Sequence, residues 1–178
     1  MKRSYGCDIS KEDLIDECRL FYNNIIVEQN KITDFNDNYA SNEAIKWYTQ
    51  DSFLYHLLNK AFRTENVDML YKLRLFITDI ENQIEFLHSK LIIGLPLAIR
   101  VYRGQDLHIN ELQILSKSIG KHISFNSFLS PTLDREFAIV FADKGRTINE
   151  AVLFEIDRTA GKRTKSFALV ENSEEKEI

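Results

Sequence analysis

Three short segments carry side chains with chemistry to offer. In Val101-Tyr102-Arg103-Gly104-Gln105 an arginine stands at the end of an expected strand, before a glycine that lets a ligand approach the backbone. Its planar guanidinium suits a pyrophosphate or a carboxylate. In Ser124-Phe125-Asn126-Ser127-Phe128-Leu129-Ser130-Pro131-Thr132 an alternating apolar pattern gives way to hydroxyls that can hydrogen-bond a ribose or a carboxylate. In Ser173-Glu174-Glu175-Lys176-Glu177-Ile178 the spacing sets Glu175 and Glu177 on one face of an extended chain, a pair suited to a cationic transition state. Each also has a plain structural reading: a strand-end arginine before a turn, a strand stopping at a helix cap, and a solvated acidic tail.

Composition narrows the classes these residues serve. The 178 residues hold 23 Lys+Arg against 27 Asp+Glu, a formal charge of -4, and 44% are hydrophobic, as in an ordinary globular chain. Without a basic face, nucleic acid is not the expected partner. The longest strongly apolar run, Leu91 to Ile99, is far shorter than the roughly 20 residues that span a bilayer, so no membrane span is expected. The N-terminus turns acidic at Asp8 before any apolar run, so no signal peptide is read and a cytoplasmic address is expected. Cys7 and Cys18 are read as free thiols, and His56, His88, His108 and His122 are too scattered for a metal site, so no metal is expected.

The elements that must position the three segments fall into two halves. No proline or glycine occurs between Gly6 and Gly94, and apolar residues recur at helical steps from Lys11 to about Leu91. Asp51-Ser52 precedes an amphipathic helix through Phe62, a second helix is expected over Val67–Leu87, and the polar stretch Asn30–Asn42 reads as a loop. Beyond Gly94, strands are expected at Ala98–Tyr102, His122–Phe128, Ala151–Ile156 and Ser166–Val170, with helices at Asn110–Ser118 and Leu133–Ala142. With no linker between them, a helical lobe (1–95) and a β-rich lobe (96–178) are expected to form one α+β domain. No heptad seam is present, and a monomer is expected.

Taken in order, the three segments resemble the arginine-specific mono-ADP-ribosyltransferases of the R-S-E class: an arginine on the first core strand, a Ser-Thr-Ser-like segment, then Glu-x-Glu. Ala44-Ile45-Lys46-Trp47-Tyr48-Thr49 and Leu58-Asn59-Lys60-Ala61-Phe62-Arg63 are similar to that family's tyrosine-threonine and asparagine-arginine signatures. Phe141-Ala142 and Val152-Leu153-Phe154-Glu155-Ile156 resemble further parts of its core. Two departures stand out: Pro131 and Thr132 replace the usual Thr and Ser, and Ile178 directly follows Glu177, inside what would be a core strand.

The resemblance implies a helical N-terminal lobe packed on a mixed β-sandwich core, its last strand cut short at the C-terminus. It implies transfer of ADP-ribose from NAD or NADP to an arginine of an acceptor protein, with release of nicotinamide. Arg103 would bind the phosphates, the Gly104 backbone the nicotinamide amide, and Ser130 would hold Glu177, which stabilises the ribose cation. Glu175 would orient the acceptor guanidinium, Tyr48 and Asn59 would lie near the adenosine, and Arg146 near a phosphate. The alternatives are NAD glycohydrolysis, which needs Glu177 but not Glu175, and a non-catalytic NAD-binding module if the shortened core is all there is. A helical interaction protein with an acidic tail would neither bind nor turn over NAD.

Overall fold

A computed structural model describes residues 7–50, 52–91, 98–142, 149–159 and 166–168. The chain divides into two compact units: Met1–Gly94 with Lys165–Ile178, and Leu95–Thr164. The described residues make an α+β protein with eight α-helices and a two-stranded antiparallel sheet. Among the described residues, no helix is long and apolar enough to cross a membrane.

The first unit is helical: α1 (Cys7–Phe21), α2 (Ile26–Asn38), a 3-10 turn (Ser41–Glu43), α3 (Ala44–Thr49), α4 (Phe53–Arg63), α5 (Val67–Lys72) and α6 (Arg74–Leu91). Its core gathers around the fully buried Phe35, whose ring meets Trp47, Phe53 and Phe76 edge-on at 5.1, 5.9 and 6.1 Å. Leu14, Ile32, Leu54, Leu57, Leu58 and Ile80 are likewise buried in this unit. Ser52 caps α4 as expected, its Oγ accepting from the Tyr55 amide at 3.4 Å and donating to the Trp47 carbonyl at 2.9 Å.

Two elements of this unit differ from expectation. The stretch Asn30–Asn42 is not a loop: α2 runs to Asn38, because Ile32 and Phe35, three residues apart, bury one stripe while Asp34, Asp37 and Asn38 face solvent. The helix expected over Val67–Leu87 is two helices, parted at the buried Leu73 (φ −82°, ψ 0°). α4 ends without glycine: Glu65 takes a φ of 50°, and the Asn66 amide donates to the Ala61 carbonyl.

In the second unit β1 (Ala98–His108) pairs antiparallel with β2 (Asn149–Thr159), from Ala98 opposite Thr159 to His108 opposite Asn149. A capping box at His108 ends β1 and starts α7 (Ile109–Ser116), and α8 (Arg135–Ala142) packs on the ladder. His122–Phe128 is not a strand. Its alternation found no partner; the segment is irregular and lays Phe125 edge-on against Phe154 at 5.5 Å. Beyond β2, β1 receives only an isolated bridge between Tyr102 and Thr132 among the described residues. In the strand expected over Ser166–Val170, Ser166, Phe167 and Ala168 carry no strand, and Leu169 and Val170 lie outside the described residues.

Candidate functional site

Arg103 is not at a strand end, because β1 runs on to His108. It sits in mid-ladder opposite Phe154, while the next residue, Gly104, faces α8. That approach is very close. A Cβ on Gly104 would collide with the Ala138 carbonyl and lie 2.8 Å from the Ala142 nitrogen, so the glycine admits a helix backbone to the face expected to receive a ligand. Since successive strand residues point to opposite faces, Arg103 and Gln105 project away from α8.

The two faces treat their arginines differently. On the α8 face, Arg100 holds Asp157 through Nε at 2.6 Å and Nη2 at 2.8 Å, with Glu155 3.5 Å from Nη1. The hydrogen bonds from Arg100 push the Asp157 carboxyl below the usual carboxylate range, and the same bonds raise Arg100 above the ordinary guanidinium value. Arg135 at the start of α8 adds a second cation, 3.7 Å from Glu155. On the other face the half-buried Arg103 donates from Nε to Gln105 Oε1 at 3.4 Å, and among the described residues no carboxylate pairs with it.

Compared with known proteins, the chain matches no family model, no curated protein and no solved structure.

The bridge at Tyr102 brings the serine segment to this edge. Tyr102 and Thr132 exchange both backbone hydrogen bonds at 2.8 Å. In the antiparallel sense of that bridge, Pro131 and Ser130 are the next residues alongside Arg103 and Gly104. Hydrogen-bonded and non-bonded positions alternate in such a pair, so Pro131 falls where its missing N–H would point away from β1, and the proline removes no bond from the bridge. The exposed Ser130 hydroxyl has no partner among the described residues. The Thr132 hydroxyl is engaged, accepting from the Asp134 amide at 3.1 Å, while Asp134 Oδ1 caps α8 by accepting from the Glu136 and Phe137 amides at 2.8 and 3.1 Å.

Tyr48 and Asn59 meet each other within the helical unit. The buried Tyr48 hydroxyl donates to Asn59 Oδ1 at 3.3 Å, and Asn59 Nδ2 donates to the Tyr55 carbonyl at 2.8 Å, tying α3 to α4. Glu175, Glu177 and Arg146 lie outside the described residues. The Cys18 thiol is buried and free, and burial, assisted by Glu17, pushes it up to about 12, which leaves it inert as a nucleophile. No cluster of three metal-ligating side chains occurs among the described residues.

The sequence reading missed the Arg100–Asp157–Glu155–Arg135 cluster, since only the register of β1 against β2 reveals that these charges are neighbours. It also missed Asp134 as a cap, although Thr132-x-Asp134 before an apolar run is a legible helix-start signal.

Proposed function

We propose that this chain is a mono-ADP-ribosyltransferase that transfers ADP-ribose from NAD or NADP to arginine side chains of an acceptor protein. The observation that carries this reading is Arg103: a half-buried guanidinium unpaired with any carboxylate among the described residues, on the strand that the serine segment bridges through Tyr102 and Thr132. A dinucleotide asks for such groups. Its pyrophosphate needs a cation not already neutralised, and its ribose needs hydroxyl partners.

In this reading the terminal nitrogens of Arg103 hold the pyrophosphate and so fix the ribose–nicotinamide bond. Glu177 stabilises positive charge as that bond lengthens, and Ser130 steadies the carboxylate. Glu175 receives the acceptor guanidinium, which is protonated at neutral pH and must be oriented and relieved of a proton to attack. The β-sandwich core implied by the family resemblance is part of the proposal; the described sheet is the two-stranded β1–β2 ladder. The packing of α8 on Gly104 favours contact with the nicotinamide amide on the serine-side edge of β1 rather than on its α8 face.

The test is nicotinamide release from NAD by the full chain, with and without agmatine as a guanidino acceptor. Release stimulated by agmatine, lost in Glu177→Gln and uncoupled to plain hydrolysis in Glu175→Ala, is the expected result. A folded wild-type chain that releases no nicotinamide, or a Glu177→Gln variant as active as wild type, refutes the proposal.

A further inference from the structure

The junction of α1 and α2 shows the largest run of exposed apolar side chains in the described part of the helical unit. Between Arg19 and Val27, Leu20 is 67% exposed, Phe21 43%, Ile25 49%, Ile26 78% and Val27 63%. Five large apolar side chains in so short a stretch exceed the scattered exposure usual on a soluble surface. They sit on a well-bonded turn. Gln29 Nε2 donates to the carbonyls of Arg19 and Tyr22, both at 2.9 Å, and the Ile25 amide donates to the Tyr22 carbonyl at 3.0 Å. These backbone groups are satisfied within the tip, which presents outward this hydrocarbon and, between Tyr22 and Ile25, the exposed amides of Asn23 and Asn24.

A basic rim accompanies the tip. Lys60 Nζ lies 4.9 Å over the Phe21 ring, Arg63 follows one turn later on α4, and Arg19 directly precedes Leu20. All three are exposed, and none pairs with a carboxylate among the described residues. Of the carboxylates close in sequence, Glu28 is matched by Lys31 and Glu17 by Lys72, Asp16 stands a turn further from the tip, and the exposed Glu65 follows Arg63 by two residues.

We propose that this α1–α2 tip docks on an anionic lipid surface, inserting Leu20, Phe21, Ile25, Ile26 and Val27 at the headgroup level while Arg19, Lys60 and Arg63 meet acidic headgroups. Exposed hydrocarbon rimmed by cations is the pattern of a surface that lies on a charged bilayer. A complementary protein surface would have to supply an apolar cavity and a matching acidic rim together, whereas an anionic bilayer supplies both over its whole area. Docking of this kind stands on the helical unit alone and does not rest on the proposed transferase activity.

The experiment is co-sedimentation of the full chain with vesicles of phosphatidylserine and phosphatidylcholine, against pure phosphatidylcholine, at low and high salt. Wild type is expected to pellet with the anionic vesicles and to be released by salt. Ile26→Asp is expected to lower the partition coefficient about tenfold or more, from the loss of one inserted side chain. Lys60→Gln is expected to lower it about fivefold. Both residues are exposed, and an unchanged circular-dichroism melt confirms that each variant is folded. No pelleting of wild type, or equal pelleting of Ile26→Asp, overturns the proposal. So does self-association in vesicle-free solution that Ile26→Asp abolishes, which would make the tip an interface between two copies of the chain.

Discussion

Strand β1 carries two arginines, three residues apart and on opposite faces of the ladder, and their surroundings differ. Arg100 is saturated: two hydrogen bonds to Asp157, a second carboxylate in Glu155, and Arg135 sharing that carboxylate. Arg103 has a side-chain amide and no acid among the described residues. A guanidinium whose charge is already met serves the architecture, and one left unmet is available to an incoming anion. The difference teaches that residue type alone does not tell which guanidinium on this strand is already neutralised; the register of the opposing strand does.

The α8 face should fail first when perturbed. Gly104→Ala drives a methyl into the Ala138 carbonyl, and we expect about 3 kcal/mol of destabilisation, read as a large fall in the melting temperature. A melt within about a degree of wild type, against the several degrees such a loss implies, would show that α8 is not seated as described. Next in size, Arg103→Gln should lower nicotinamide release about a hundredfold with the melt unchanged, whereas Arg100→Gln should leave release intact. Equal losses in both would remove the distinction between the faces. Thr132→Val deletes the acceptor for the Asp134 amide and should cost about 1 kcal/mol, measured by denaturant unfolding.

The smallest effect is a pH dependence on the saturated face. Hydrogen bonds from Arg100 depress the folded-state value of Asp157, so its contribution is present above the unfolded carboxylate value and is lost as pH falls through the depressed one. Comparing wild type with Asp157→Asn, the gap in melting temperature should be widest near neutrality and close in strong acid. A gap that widens toward acid would contradict the assigned pair. Because both groups are exposed, the gap is small at its widest.

How much of this was legible in the sequence depends on whether the signal is local. Ser52 before an apolar helical stripe, Ala98 opening a strand and the helix ahead of Ala142 are written within a few residues and read correctly. The loop expected across Asn30–Asn42 failed because Ile32 and Phe35 outweigh a run of polar residues, once a core exists to receive them. His122–Phe128 failed for the opposite reason: its alternation is strand-like, but a strand exists only where an edge accepts it, and among the described residues β1 beyond β2 meets Thr132 alone, at Tyr102. In the site, Arg103 and the serine segment were legible as residue types. That Thr132 spends its hydroxyl on a turn while Ser130 does not, and that Tyr48 spends its own on Asn59, are facts of geometry.

The contact at Gly104 has a mechanical consequence. With no side chain between the strand and the Ala138 carbonyl, there is no compressible layer to absorb relative sliding, so α8 and the middle of β1 translate and tilt as one body. Any force applied to α8 therefore arrives at the neighbouring Arg103 backbone undamped. The guanidinium is left to reorient by turning about its own side-chain bonds, swinging from a fixed post.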